Sequence, residues 1–175
     1  MNFAVIKKTD VANGPGVRVS LYVSGCTHHC KNCFNQETWD FAFGSPFTDA
    51  QEKEILDALS PSYIRGFSLL GGEPFEPVNQ KVLVHLLKKI RETYPHKTIW
   101  CYSGYLYDDD MLAGRLGDPA ITWEMLSYID VLVDGEFVDA LKNLNLRFKG
   151  SENQRIINVP RSLQDGSIVL WEGEE

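Results

Sequence analysis

The sequence predicts an α/β fold with a mainly parallel sheet, arranged as an open, partial βα barrel. Strand-like segments alternate with helix-like segments along the chain, which is typical of βαβ units. Several predicted strands run directly into turns that contain glycine, and α/β folds build their sites at that end of the strands. The chain has 175 residues, whereas a complete eight-unit barrel takes about 250. We therefore expect a partial barrel that forms a single domain over residues 1–175.

Hydrophobic periodicity places the individual elements. Apolar and polar residues alternate over Val17–Val23, which predicts the first strand. Thr48 and Gln51 form a capping box ahead of Ile55 and Leu59, so a helix is expected there. Further strands are predicted over Gly66–Leu70, Thr98–Tyr102, Val131–Val133, Arg155–Val159 and Ser167–Trp171, and further helices over Val82–Ile90 and Trp123–Ile129.

Composition and charge disfavour several classes of protein. Apolar residues make up 43% of the chain and charged residues 23%, which is ordinary for a folded globular domain. The formal net charge of −7 disfavours a nucleic-acid partner, because such partners bind basic surfaces. No apolar run approaches the roughly 20 residues that span a bilayer, and no signal peptide is recognisable after Met1. We therefore expect neither nucleic acid nor membrane as a partner, and a location in the cytoplasm.

Cys26, Cys30 and Cys33 follow the first predicted strand with the spacing Cys-x-x-x-Cys-x-x-Cys. Three of the four cysteines thus fall within eight residues, which is a metal-binding pattern and not a disulfide framework. Structural zinc sites and fully ligated iron–sulfur clusters take four protein ligands, so three thiolates favour a cubane cluster with one open iron. Two alternatives are a zinc site completed by His28 or His29 and a redox dithiol of Cys30 and Cys33. Outside a zinc site, both histidines are expected to be polar loop residues.

Polar residues end three further predicted strands. Gly71–Pro74 places two glycines, which let a ligand approach the backbone, beside Glu73, whose carboxylate suits an ammonium group. A tight turn with a solvated glutamate is the alternative. Ser103 and Asp134 each precede a glycine, and each either binds a ligand or simply forms a turn. Cys101 lies inside an apolar strand, where we expect a small buried side chain and not a fourth cluster ligand.

Motifs along the chain resemble those of the radical S-adenosylmethionine enzymes and, within that superfamily, the glycyl-radical activating enzymes. The resemblance extends from about Asn13 to Arg155, with the motifs in family order. They are Asn13–Arg18, Cys26–Cys33, Gly71–Pro74, Tyr102–Tyr105, Asp130–Phe137 and Gly150–Arg155. Two positions depart from the family pattern. Asn32 replaces a residue that is often aromatic, and Glu136 stands where related activating enzymes carry a lysine.

The resemblance implies a [4Fe–4S] cluster held by Cys26, Cys30 and Cys33, with S-adenosylmethionine bound at the fourth iron. Reductive cleavage of S-adenosylmethionine would yield a 5′-deoxyadenosyl radical, which takes a hydrogen atom from a glycine of a protein partner. Contacts to S-adenosylmethionine are implied at Asn32, Cys33, Phe34, Gly71, Gly72, Glu73, Ser103 and Asp134. Among these, Glu73 would pair with the ammonium group, and Ser103 and Asp134 are candidates for the ribose. No catalytic side chain is implied beyond the cluster ligands.

The protein partner implied by the resemblance is anaerobic ribonucleoside-triphosphate reductase, with a reductant such as flavodoxin as the source of the electron. The implied activity is that of a radical S-adenosylmethionine oxidoreductase. Two alternatives stay open: activation of another glycyl-radical enzyme, and a non-catalytic zinc-binding module. The sequence carries no additional cysteine-rich, ferredoxin-like insert, which disfavours the first alternative.

Overall fold

One seven-stranded sheet organises the chain in the computed structural model, which describes residues 1–173. The strands are β1 (Asn2–Asp10), β2 (Val17–Val23), β3 (Ser45–Pro46), β4 (Ile64–Gly71), β5 (Thr98–Tyr102), β6 (Val131–Asp134) and β7 (Arg155–Asn158). The α-helices are α1 (Asp49–Leu59), α2 (Pro77–Thr93), α3 (Pro119–Tyr128) and α4 (Val159–Asp165). Within these described residues, no helix has both the length and the apolar character needed to cross a membrane.

The sheet is parallel only in its centre. Its strand order is β3-β1-β2-β4-β5-β6-β7, and the four central strands β2, β4, β5 and β6 run parallel to one another. Helices α1, α2 and α3 supply the crossovers between these four strands. The outer pairs β1–β2, β1–β3 and β6–β7 are antiparallel. The predicted α/β class is confirmed, but the sheet is partly parallel instead of mainly parallel, because β1 turns straight back into β2 without a crossover.

The capping box predicted at the start of α1 is present. The Thr48 hydroxyl accepts a hydrogen bond from the Ala50 N–H at 3.3 Å, and the Gln51 side chain accepts one from the Thr48 N–H at 3.0 Å. Such bonds satisfy N–H groups that have no partner inside the helix. One turn further on, Ile55 and Leu59 are fully buried, as their spacing predicts.

Different parts of the chain pack against the two faces of the sheet. A row of fully buried residues crosses the four parallel strands: Leu21, Leu69, Cys101 and Leu132. These residues share one apolar core with the inward faces of the four helices. Neighbouring residues of each strand point to the opposite face, where Trp100 packs with Phe148 and Trp171. The helices therefore leave the second face free for loops and for a cavity.

The predicted strand over Ser167–Trp171 is wrong. This segment makes one isolated bridge, between Leu170 and Ile157. The preceding helix α4 ends at Gly166, which has a left-handed φ of 68°. After it, the Trp171 ring packs edge-on against the Trp100 ring, with 4.9 Å between centroids. The apolar residues after α4 thus cover a face of the sheet instead of adding a strand to its edge.

Candidate functional site

A cavity of about 480 Å³ lies at the carboxyl ends of the parallel strands, on the face of the sheet away from the helices. All but two of the predicted site residues line it. They are Cys26, Cys30, Cys33, Phe34, Gly71, Gly72, Glu73 and Ser103. The carboxyl ends of parallel strands meet at one edge of a sheet, and for this reason residues far apart in the sequence share one site.

The cysteine loop leaves β2 at Gly25 and is anchored to the segment that follows it. The Gly25 N–H donates to the Thr38 carbonyl oxygen at 2.8 Å, and the Cys26 N–H donates to that of Trp39 at 3.2 Å. Gly25 has a φ of +99°, and a Cβ there would lie 2.3 Å from the Phe41 ring. Glycine is therefore required at the start of the loop, where the chain bends to bring the first cysteine to the cavity wall.

Two left-handed residues shape the rest of the loop. His29 and Asn32 have φ values of 51° and 57°, a conformation that bends the chain sharply. The Cys33 N–H donates to the Cys30 carbonyl oxygen at 3.1 Å and closes a turn between these two cysteines. As a result, both of them face the same cavity as Cys26.

The surroundings of Cys26 and Cys30 favour the protonated form of both thiols. Burial, together with the negative charge of Glu73, raises the pKa of Cys26 to about 12. Burial likewise raises the pKa of Cys30. The third sulfur, Cys33 Sγ, accepts a hydrogen bond from the Asn35 N–H at 3.4 Å. Metal ions bind thiolates, so binding at this loop must release protons.

The donor set fits an iron–sulfur cluster with one open iron. Iron–sulfur clusters are held by cysteine thiolates, and the loop places three cysteines on one cavity wall. A zinc ion would need a further ligand, but both ring nitrogens of His28 contact glutamates, and the His29 ring stacks on Trp39 at 4.6 Å between centroids. Within residues 1–173, no three His, Cys, Asp or Glu side chains converge closely enough to hold one metal ion.

Glu73 lies at the cavity wall with 1% of its surface exposed, and four donors surround its carboxylate. Oε1 accepts hydrogen bonds from the Phe75 N–H and from the Ser103 hydroxyl, each at 2.8 Å. Oε2 accepts one from the Gly104 N–H at 2.7 Å and lies 3.0 Å from Nε2 of His28. A carboxylate offers about four acceptor positions. The protein itself therefore fills the acceptor capacity of this buried group.

His28 connects the cysteine loop to two glutamates. Its Nε2 lies 3.0 Å from Glu73 and its Nδ1 lies 2.8 Å from Glu136. Its ring packs on Tyr105 at 4.3 Å between centroids. Burial lowers the pKa of His28, but the hydrogen bonds and charges of the two carboxylates outweigh it and raise the pKa to about 9. His28 thus lies largely buried between two carboxylates, and the prediction that it is only a polar loop residue is wrong.

Besides Glu73, a second glutamate of the turn after β4 contacts the cysteine loop. Glu76 is buried, and its Oε1 accepts hydrogen bonds from the Thr27 N–H at 2.8 Å and from the Thr27 hydroxyl at 2.6 Å. The Thr27 hydroxyl also lies 3.4 Å from that of Tyr105. Sequence reasoning missed Thr27, Glu76 and Glu136 as parts of the site. The sequence signal that could have indicated them is proximity: each lies within two residues of the cysteine motif, of Gly71–Pro74 or of Asp134.

The ends of β4 and β2 pack so closely that only glycine fits at positions 71 and 72. A Cβ on Gly71, whose φ is +110°, would lie 2.5 Å from the Val23 nitrogen, and a Cβ on Gly72 would lie 2.6 Å from the Gly25 oxygen. The N–H groups of Gly72 and Glu73 donate to the carbonyl oxygens of Val23 and Gly25, each at 2.8 Å. Both glycines are therefore required for β4 to end against β2, whichever ligand the cavity takes.

Comparison with known proteins assigns the family. Residues 12–157 match the family model of the 4Fe-4S single cluster domain. A protein of Haemophilus influenzae is 39% identical over 158 residues, which cover 89% of this chain and 97% of the relative. A protein of Enterobacteria phage T4 is 38% identical over 156 residues, which cover 89% of this chain and 93% of the relative. A protein of Escherichia coli K12 is 40% identical over 156 residues, which cover 88% of this chain and 96% of the relative. All three are named anaerobic ribonucleoside-triphosphate reductase-activating protein. The chain belongs to this family.

Membership of the activating-protein family confirms the resemblance expected from the motifs. Two of the predicted contact residues nevertheless lie off the cavity lining. Asn32 is exposed, and its amide donates to Asp139 Oδ2 at 2.9 Å. Asp134 is fully buried; both of its oxygens accept hydrogen bonds from the Arg155 guanidinium, and Oδ2 also accepts one from the Tyr107 N–H at 2.8 Å. A ribose contact by Asp134 stays a prediction, and it requires the carboxylate to exchange one of these partners.

In this member of the activating-protein family, Cys101 is a core side chain. It lies in β5, is fully buried, and is not part of the cavity lining. Burial, with the negative charge of Glu73, raises the pKa of Cys101 well above its usual range. A neutral thiol packed among apolar residues is what its position in an apolar strand predicts.

Proposed function

We propose that this chain is a radical S-adenosylmethionine activating enzyme that generates a glycyl radical on anaerobic ribonucleoside-triphosphate reductase. The observation that carries the proposal is one cavity lined jointly by the three loop cysteines, the Gly71–Glu73 turn and Ser103. The names of the similar proteins support the reductase as the target. The matched domain type supports the iron–sulfur cluster.

In this proposal Cys26, Cys30 and Cys33 hold three irons of a [4Fe–4S] cluster and leave the fourth iron for S-adenosylmethionine. When bound, the two groups together supply reductive cleavage of the sulfonium and a 5′-deoxyadenosyl radical that removes a hydrogen atom from glycine. The protein's own task is to bind, to orient and to exclude water. The raised pKa values of Cys26 and Cys30 mean that cluster assembly releases protons into the cavity.

Six of the eight proposed contacts to S-adenosylmethionine line the cavity: Cys33, Phe34, Gly71, Gly72, Glu73 and Ser103. The other two, Asn32 and Asp134, lie off its lining. Glu73 is the counter-ion for the ammonium group, since it is the buried carboxylate that faces the cavity next to the cysteine loop. Ser103 and Asp134 are proposed for the ribose. The adenine is proposed to lie against Phe34, with the backbone at Asn32 in place of an aromatic ring.

We also propose that the sheet acts as a partial barrel within a single domain. Three successive crossovers place α1, α2 and α3 on one face, and the cavity occupies the other. The outermost strands β3 and β7 each pair with one neighbour, so the strand order is open at both ends. An open side of this kind would admit a glycine-bearing segment of a protein.

A protein partner fits the mouth of the cavity. Phe34 lines the cavity and is exposed, and the Lys142 ammonium lies 5.0 Å from the centre of its ring. Leu141 and Leu144, close to Lys142 in the sequence, are also exposed apolar residues. Apolar side chains bordered by charge are typical of protein interfaces. We propose that the reductase docks here and that a reductant such as flavodoxin delivers the electron. Four free cysteines fit a reducing cytoplasm as the location.

The test is anaerobic purification and reconstitution with iron and sulfide, followed by reduction and an assay of 5′-deoxyadenosine release from S-adenosylmethionine. Cys26→Ala, Cys30→Ala and Cys33→Ala should each abolish release, because each removes a proposed ligand. Cys101→Ala is the matched control, since this cysteine lies outside the cavity, and it should retain release. A folded but inactive Cys101→Ala variant would contradict the ligand assignment.

The same preparation separates the alternatives. A glycyl radical signal in electron paramagnetic resonance that forms on the anaerobic reductase supports the proposed target. A signal that forms only on another glycyl-radical enzyme would support the second activating function. Stoichiometric zinc in a colourless protein without 5′-deoxyadenosine release would support the zinc-binding module and end the radical proposal.

A further inference from the structure

The four donors around the Glu73 carboxylate differ in how they are held. Phe75 and Gly104 donate backbone N–H groups, and Ser103 donates from a short side chain that is itself buried. The imidazole of His28 instead reaches Glu73 from the cysteine loop, on a side chain with two rotatable bonds. Of the two side-chain donors, Ser103 is also held by the Tyr105 N–H, which donates to its hydroxyl at 3.1 Å. His28 is therefore the donor that a side-chain rotation withdraws more readily.

The surroundings of His28 suit such a rotation. The ring lines the cavity, and a Cβ on Gly104 would lie 2.7 Å from it, so glycine at this position makes room for the ring against Glu73. On the other side Nδ1 contacts Glu136, whose side chain is 57% exposed. Glu136 therefore anchors the ring in its position against Glu73. Because this anchor is exposed, it can be weakened without removing the ring.

We propose that His28 is a positioning residue that holds the Glu73 carboxylate in the ligand-free protein and gives it up to the ammonium group of an α-amino acid cofactor. This inference rests on the proposed function, in which S-adenosylmethionine is that cofactor. A buried carboxylate without a partner is strongly unfavourable, and His28 keeps Glu73 paired and oriented until the ammonium group arrives. Since the acceptor positions of Glu73 are filled, His28 and the ammonium group compete for it.

The competition between His28 and the ammonium group predicts the direction in which the affinity for S-adenosylmethionine changes. In His28→Ala, Glu73 lacks one donor in the ligand-free protein, and an incoming ammonium group restores it. One hydrogen bond to a charged group corresponds to roughly a tenfold change in a dissociation constant. Binding of S-adenosylmethionine should therefore become about tenfold tighter. If His28 only supported the shape of the loop, its removal would weaken binding instead.

The experiment measures the dissociation constant of S-adenosylmethionine by anaerobic equilibrium dialysis on the reconstituted protein, without reductant so that no cleavage occurs. Wild type, His28→Ala and His85→Ala are compared at equal iron content per chain. His85 is an exposed histidine of α2 and should leave the constant unchanged. The deamino analogue of S-adenosylmethionine, which lacks the ammonium group, should bind wild type and His28→Ala equally.

Glu136→Gln serves as a second variant, in case His28→Ala fails to take up iron. It weakens the other anchor of His28 and should tighten binding of S-adenosylmethionine about threefold, less than full removal of the ring does. Unchanged or weaker binding in the variant that retains its cluster overturns the role proposed for His28. Absence of binding to the wild-type protein overturns the proposed function itself, so the two failures are distinguishable.

Discussion

At the scale of single residues, the carboxylate of Glu73 connects three separate parts of the chain. It stands after β4, but its donors come from the cysteine loop through His28 and from the end of β5 through Ser103 and Gly104. Each donor is buried or half-buried. A polar group that loses its partner away from water pays the full cost of its desolvation. Glu73 therefore contributes to the stability of the site as well as to its chemistry.

Glu73→Ala is expected to lower the free energy of unfolding by about 3 kcal/mol or more, because the His28 ring and three further donors lose their buried acceptor. Urea denaturation of the cluster-free protein, followed by circular dichroism, measures the change. Glu37→Ala removes an exposed glutamate after the cysteine loop and should change stability by less than about 0.5 kcal/mol. Equal losses in the two variants would show that the donors of Glu73 find other partners.

At the scale of elements, the hairpin of β1 and β2 depends on a carboxylate at its turn. Asp10 ends β1 and accepts hydrogen bonds from the Ser20 hydroxyl of β2 at 2.6 Å, from the Ala12 N–H at 2.9 Å and from the Asn13 side chain at 2.6 Å. Burial raises the pKa of Asp10, but these hydrogen bonds outweigh it and hold the pKa below its usual value. The ionised carboxylate therefore stabilises the hairpin.

Asp10→Asn should remove a part of the stability that depends on pH. The folded pKa lies below the unfolded value of about 3.9, so the contribution of Asp10 is complete above that pH and is lost as the pH falls through the lowered pKa. The difference in unfolding free energy between wild type and variant is thus expected to be largest near neutral pH and to shrink on acidification below about pH 4. Urea titrations at neutral and acidic pH measure it.

The matched control for the hairpin is Asp165→Asn, at an exposed aspartate that ends α4. Its effect on the free energy of unfolding should be small at every pH, because it removes no buried hydrogen bond. A difference between wild type and Asp10→Asn that stays constant from neutral to acidic pH would contradict the assignment of a lowered pKa to Asp10.

At the scale of the whole molecule, one ion pair joins the last strand to the rest of the sheet. Arg155 of β7 lies opposite Asp134 of β6, and its guanidinium donates to both oxygens of that fully buried carboxylate. The same guanidinium contacts Asp108, in the short π-helical segment Tyr107–Leu112 that precedes α3, at 2.8 Å. This link secures the antiparallel edge of the sheet next to the cavity.

Arg155→Ala is expected to lower the free energy of unfolding by about 3 kcal/mol or more, because it leaves the buried carboxylate of Asp134 without its cation. Asp108→Ala breaks only the outer contact. Asp108 has 45% of its side chain exposed, and exposed ion pairs contribute less than about 1 kcal/mol. Urea denaturation of both variants measures the two losses of unfolding free energy. Similar losses would show that the pair of Arg155 with the buried Asp134 is not the dominant contact.

Periodicity predicts the interior of this fold better than its ends. The predicted strand Thr98–Tyr102 coincides with β5, because a strand in the centre of a sheet carries a continuous apolar signal. The sequence pattern did not reveal β1, most of whose residues are exposed or half-buried. The segment Ser167–Trp171 carries a strand-like signal, yet its apolar residues pack over a sheet face. Burial produces the apolar signal in both settings, so the signal alone does not distinguish them.

By itself, the sequence determined the chemistry of the site: a loop with three thiols, the Gly71–Glu73 turn, and the strands that lead into them. The spacing of motif residues and the period of apolar residues involve near neighbours in the sequence, so they can be recognised without knowledge of the fold. Only the tertiary structure decided that His28 holds Glu73 and that Asp134 faces Arg155 instead of the cavity. His28 and Glu73 are 45 residues apart, and they meet because parallel strands bring their carboxyl ends to one edge of the sheet.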